Sequence, residues 1–124
     1  MERIAVAHQA LKSLESILEE PETVIVRDAT IQRFEYTCEA VWKAICDWLL
    51  NHEFIEERHP RGCYRALFRI GRIDEDLALK LLQLVEDRNR TSHAYVEAVA
   101  ISVFERIPQH AKSLRSVLEA IAGE

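Results

Sequence analysis

Residues 31–48 decide the fold: Ile31-Gln32-Arg33-Phe34-Glu35-Tyr36-Thr37-Cys38-Glu39-Ala40-Val41-Trp42-Lys43-Ala44-Ile45-Cys46-Asp47-Trp48. Ile31, Phe34, Cys38, Val41, Ile45 and Trp48 recur every three or four positions, with Arg33, Glu35, Glu39, Lys43 and Asp47 between them. That is the period of a helix burying one face. The pattern predicts a long helix over about 24–51. Upstream, Ile4, Ala7, Leu11, Leu14 and Leu18 keep the same spacing until Glu19-Glu20-Pro21 stops them, because the residue before a proline disfavours the α conformation. Downstream, the polar run His52 to Gly62 reads as a connection. A short arginine-bearing helix then ends at Gly71, and Asp74 caps another helix using Leu77, Leu81, Leu84 and Val85. A last helix carries Val99, Val103, Ile107, Ala111, Leu114, Leu118 and Ile121, with Pro108 as a point where it could kink or divide. The expectation is an all-α, up-and-down four-helix bundle with one extra short helix, forming a single domain over residues 1–124.

Composition agrees. With 48% hydrophobic and 30% charged residues in 124, the chain can build one core and is not a disordered segment. Three glycines and three prolines leave too little turn material for many short strands. Cys38 and Cys46 lie eight apart on one helix face, and the odd third cysteine, Cys63, makes no CxxC spacing; this suits a reducing, cytoplasmic setting. Neither a secretory signal nor a run of about 20 apolar residues is visible, so no membrane role is expected. A net charge of −5 argues against indiscriminate coating of nucleic acid.

The common catalytic signatures are missing. The five histidines show no HExxH or HxH pairing, no glycine-rich phosphate loop occurs, and neither a metal nor a cofactor is expected. Asp74, Glu75 and Asp76 read as an acidic first turn complementing the helix dipole. Two features remain. One is the arginine series Arg61, Arg65, Arg69 and Arg72, either a solvated face or a phosphate-backbone surface, in a chain with twelve arginines to four lysines. The other runs from Arg88 to Tyr95, where two guanidiniums, an amide, two hydroxyls, an imidazole and a phenol fall within eight positions: Arg88, Asn89, Arg90, Thr91, Ser92, His93 and Tyr95. On an unbroken helix Arg88 and His93 would stand about 140° apart. Asn89, Thr91 and Ser92 prefer caps and turns, and a break just after Arg88 would let both side chains reach one anion. The alternative is a polar interhelical loop with a satisfied histidine.

Arg88-x4-His93-x-Tyr95 resembles the RX4HXY motif of the HEPN superfamily, in the subgroup encoded beside a minimal nucleotidyltransferase. Arg27 through Thr37, Glu39 with Trp42-Lys43, Pro60-Arg61, and Glu86-Asp87-Arg88-Asn89 with Thr91-Ser92-His93 agree with that subgroup in order, over nearly the whole chain. Val96 departs from the polar residue common after the tyrosine. The resemblance implies a homodimer in which Arg88, His93 and Tyr95 border a cleft shared by two copies. It implies a cognate minimal nucleotidyltransferase as partner, with RNA or a nucleotide as ligand. In one version the protein is a metal-independent ribonuclease toxin: His93 is the general acid or base, Arg88 stabilises phosphate charge, and AMPylation of Tyr95 silences it. Asn89, Arg90, Thr91, Ser92, Arg61 and Arg65 would then contact nucleotide or RNA. In a second version the protein is the non-catalytic substrate-binding subunit of a two-component nucleotidyltransferase, and in a third it is a structural interaction protein whose motif only builds the dimer.

Overall fold

The computed structural model describes residues 2–122. It contains five α-helices and no strand among those residues: α1 (Glu2–Ile17), α2 (Val24–Glu53), α3 (Pro60–Arg69), α4 (Glu75–Arg90) and α5 (Glu97–Ala120), with a 3-10 turn, Thr91–His93, between α4 and α5. The long helix expected from residue 24 starts there, because Thr23 takes an extended backbone and its hydroxyl accepts the Val26 N–H at 3.0 Å. Asp74 does the same for α4, accepting the Leu77 N–H at 2.9 Å. Gly71, at φ +80°, supplies the left-handed turn after α3.

Helix α2 is the centre of the molecule. It packs against α1, α3, α4 and α5, while α5 also packs on α1 and α4. Phe34, Val41, Ile45 and Leu49 of α2 meet Leu11 and Leu14 of α1, Tyr64 and Leu67 of α3, Leu81 and Leu84 of α4, and Ile107 and Leu114 of α5 in one apolar core. Fully burying a side chain of this kind contributes about 1.5–3 kcal/mol, so the interlocked stripes are the main source of stability.

Three local outcomes have clear causes. Helix α5 runs through Pro108 undivided; Pro108 lies on the exposed side, where water can take the carbonyl that its missing N–H leaves free. Cys46 and Cys63 are free thiols with sulfurs 2.7 Å apart, which places α3 against α2. Helix α2 stops at Phe54, a non-glycine residue at φ 58° with its ring 88% exposed. A left-handed residue with a β-carbon costs about 1–2 kcal/mol, and glycine gives back part of the relief as chain entropy. Phe54→Gly is therefore expected to stabilise the protein by about 0.5–1 kcal/mol, read as a rise in Tm; an unchanged or lower Tm would mean that the exposed ring holds the turn in place.

Candidate functional site

The last turn of α4 alternates between core and solvent. Leu84, Asp87 and Thr91 point inward, whereas Glu86, Asn89 and Arg90 are exposed and Arg88 is half-buried between them. Asp87 is 3% exposed and receives four contacts. Arg106 donates Nε to Oδ2 and Nη2 to Oδ1, each at 2.7 Å; His110 Nε2 lies 2.7 Å from Oδ2; Arg90 Nη1 donates to Oδ1 at 3.3 Å. Burial alone would push the Asp87 carboxyl up, but the bonds from Arg106 and His110 outweigh it and hold the group below the usual carboxylate range. An ionised carboxylate can only accept, so Nε2 of His110 carries the proton at this contact. The imidazole, 4% exposed, also stacks on Phe34 at 5.5 Å. This cluster ties the end of α4 to the middle of α5, just beneath Arg88.

Arg88 itself donates Nη1 to the Thr91 hydroxyl at 3.1 Å, and that hydroxyl donates to the Arg88 carbonyl at 2.6 Å. Ser92 donates to the Asn89 carbonyl at 3.0 Å. These hydroxyls turn back on carbonyls three residues earlier and tighten the winding instead of ending it. The helix boundary falls between Arg88 and His93, as the turn-forming residues imply, but the sharp bend does not come just after Arg88. Arg90, Thr91 and Ala94 keep right-handed helical angles, and the first extended residue is Val96, at φ −86° and ψ 114°. Helix α5 begins there with Glu97 in its first turn, 3.7 Å from Arg27.

Within one chain, among the described residues, no hydrogen bond or ion pair joins Arg88 to His93. The guanidinium lies 3.7 Å from the Glu35 carboxylate. His93 is exposed and meets the Tyr95 ring edge-on, with centroids 6.1 Å apart, and Tyr95 is 83% exposed. A slot of about 150 Å³ opens on the other side of Arg88, where Glu39, Trp42, Pro60, Tyr64 and Asn89 line it. His93 and Tyr95 take no part in its lining.

The arginine series of α3 is only partly continuous. Arg61 is half-buried, while Arg65 and Arg69 are exposed, the latter 3.7 Å from Glu57. Arg72 departs from the expected solvent-facing stripe, because the Gly71 turn redirects the chain and sets its guanidinium 4.8 Å over the Trp48 ring. Trp42 and Trp48, six residues apart on α2, face different sides: Trp48 is 2% exposed in the core, and Trp42 walls the slot. Reading from the residues alone leaves Asp87, Arg106 and His110 without a role. The signal that could have found them is the i, i+4 pair Arg106 and His110 beside the apolar stripe of α5. No three His, Cys, Asp or Glu side chains among the described residues converge as a metal site, and no helix there is long and apolar enough to cross a membrane.

Comparison with known proteins bears on this geometry. The family model described as nucleotidyltransferase substrate binding protein like matches residues 2–122. The fold is shared with a crystal structure of a Thermus thermophilus protein, at 37% identity and TM-score 0.88, covering 94% of this chain and 98% of that one. A tri-AMPylated HEPN toxin of Shewanella oneidensis, in complex with an MNT antitoxin, aligns at 18% identity and TM-score 0.79, covering 99% of this chain and 96% of that one. A Haemophilus influenzae structure described as revealing the fold of a substrate binding domain of a nucleotidyltransferase aligns at 23% identity and TM-score 0.75, over 95% and 98%. At such identities the last two show the fold alone. Among curated proteins, none matches the sequence.

Proposed function

Because the chain belongs to the nucleotidyltransferase substrate binding protein-like family, we propose that it is the helical partner of a separately encoded minimal nucleotidyltransferase and a metal-independent ribonuclease silenced by AMPylation of Tyr95. The observation that carries this reading is the exposed pair His93 and Tyr95: an imidazole free to meet RNA, with an 83% exposed phenol against its edge. His93 takes the proton of a ribose 2′-hydroxyl, whose oxygen attacks the adjacent phosphorus. The bond from phosphorus to the 5′-oxygen breaks, that oxygen takes up a proton, and a 2′,3′-cyclic phosphate remains. Arg88 stabilises the charge that builds on the phosphoryl oxygens. No hydrogen bond joins the guanidinium and the imidazole within one chain among the described residues, and in the proposed homodimer the arginine of one copy serves the phosphate held at the imidazole of the other. Asn89, Arg90, Thr91, Ser92, Arg61 and Arg65 would position the RNA backbone.

In the silencing step the Tyr95 oxygen attacks the α-phosphorus of ATP on the partner enzyme, AMP is transferred and pyrophosphate leaves. The adduct places an anionic nucleotide two residues from His93 and blocks the site by bulk and repulsion. The test is to mix the protein with the neighbouring nucleotidyltransferase, ATP and magnesium, then to record mass and RNA cleavage in EDTA. A gain of AMP mapped to Tyr95, absent from Tyr95→Phe and accompanied by loss of cleavage, is the expected result. Modification elsewhere, or cleavage unchanged by the adduct, would remove Tyr95 from the scheme.

A second reading, the non-catalytic substrate-binding subunit, is favoured by one specific feature. Arg88 opens on a walled slot that excludes His93, an arrangement suited to holding a ligand. If the parent protein binds nucleotide but leaves RNA intact, this reading replaces the first.

A further inference from the structure

The slot between α2, α3 and α4 contains Tyr64 and Glu39, polar groups that phosphate chemistry at His93 does not use. Tyr64 is 1% exposed and lines the cavity, and its hydroxyl forms no hydrogen bond among the described residues. Buried phenols normally find a partner, so this hydroxyl is available to a ligand. The side-chain amide of Asn89, which also lines the slot, is likewise unbonded within the described residues, and Glu39 lines the same slot. Burial would raise its carboxyl, but hydrogen bonds from Trp42 and Lys43 outweigh that and hold it below the usual range, so it is ionised at neutral pH. Trp42 Nε1 donates to Oε1 at 3.2 Å and Lys43 Nζ lies 3.2 Å from Oε2, which sets the indole and the carboxylate in fixed relation.

A flat indole wall, a proline ring, a carboxylate and free neutral polar groups match a heteroaromatic base. The slot, at about 150 Å³, is smaller than the roughly 300–1,000 Å³ of sites that enclose drug-sized ligands. It takes one ring system, and Arg88 in its lining is the group that would meet the attached phosphate. Among the bases, guanine presents two adjacent donors, N1–H and the 2-amino group, to a carboxylate, and its O6 accepts from a hydroxyl or amide. Uracil offers a single ring N–H flanked by two carbonyls, which would set an acceptor against Glu39. We infer that this slot holds guanine, with the attached phosphate on Arg88. The inference rests on the proposed role of Arg88 as a phosphate ligand, and the base belongs either to a free nucleotide or to an RNA chain.

Calorimetric titration of the full chain with GMP, UMP and inorganic phosphate tests it. GMP is expected to bind at least about tenfold tighter than UMP or phosphate, the discrimination of one well-made base contact. GMP should also quench tryptophan fluorescence in the parent and not in Trp42→Phe. Glu39→Gln should bring GMP and UMP together while its helical circular dichroism is unchanged. An oligouridylate with a single guanosine, bound more tightly than the all-uridine chain, assigns the base to RNA; a preference seen with GMP alone assigns it to the free nucleotide. Equal affinity for GMP and UMP, or GMP binding that leaves the fluorescence unchanged, overturns the proposal. RNA cleavage and Tyr95 adenylylation measured on the same preparations separate the failures: if they persist without base preference, only the slot assignment is lost, and if they vanish as well, the nucleotide reading of the protein goes with it.

Discussion

Asp87→Ala is expected to lower the unfolding free energy by about 3 kcal/mol, which for a chain of this size moves Tm down by roughly 10 °C. The carboxylate is 3% exposed and holds both Arg106 and His110 at 2.7 Å. Removing it leaves Nε and Nη2 of Arg106 and Nε2 of His110 without their acceptor, and only Nη1 of Arg106 keeps its bond, to the Ser102 hydroxyl. Breaking such a pair by deleting one partner costs about 3–5 kcal/mol. The lower end applies because the Arg106 side chain is 33% exposed and can turn to water, whereas His110 cannot. Asp87→Asn keeps the shape and one acceptor, so it should fall between alanine and the parent. A Tm within about 2 °C of the parent for Asp87→Ala would show that the cluster adds no net stability.

The same group sets an acid limit. Its folded-state carboxyl titrates below the ordinary range, and the unfolded value is about 3.9. Its contribution is therefore fully present above the unfolded value and is lost as pH falls through the lower folded value. Stability measured by urea midpoint should thus fall more steeply below about pH 4 in the parent than in Asp87→Asn.

What the sequence exposes and what it hides divide along physical lines. The α2 stripe is legible because residues 31–48 keep one period with charges on the opposite side, and the boundaries at Gly71 and Asp74 follow from local backbone chemistry. Long-range pairing is not local. Arg106 and His110 share a face of α5 by spacing, but nothing in the spacing names Asp87 as their acceptor 19 and 23 residues upstream. Arg72 follows the arginine period on paper, and one glycine at φ +80° redirects it onto Trp48. In the candidate segment, the residue types that favour a turn are all present, yet Thr91 and Ser92 spend their hydroxyls on the carbonyls of Arg88 and Asn89. The winding persists, and the bend moves to Val96. Composition could locate the segment; it could not show that Arg88 lines the slot between α2, α3 and α4 while His93 does not.

That separation makes the second large effect informative. His93→Ala is expected to reduce RNA cleavage in EDTA by about 10²–10⁴-fold, the range for losing a general acid or base. Arg88→Ala should lose about 10²–10³-fold, as when one charge-stabilising donor is removed. The thermal consequences should differ. His93 is exposed and, among the described residues, the ring contact it makes is with Tyr95, itself 83% exposed, so its removal should leave Tm unchanged. Arg88→Ala also forfeits the bond to Thr91 and the contact with Glu35, so a small drop in Tm should accompany its kinetic loss. Arg88→Lys keeps the charge without the planar fork, and partial recovery would point to charge, whereas none would point to bidentate phosphate recognition. The decisive arm uses two chains. If guanidinium and imidazole act on one phosphate from opposite copies, a mixed dimer of His93→Ala with Arg88→Ala keeps one intact pair in half of its two possible sites. Mixing the two inactive variants under conditions of subunit exchange should then restore activity toward about a quarter of the parent value, since about half the dimers are mixed and each carries one working site. Mixtures as inactive as their components, with exchange verified by mass, would rule out a site shared between copies; His93→Ala cleaving as fast as the parent would end the ribonuclease reading itself.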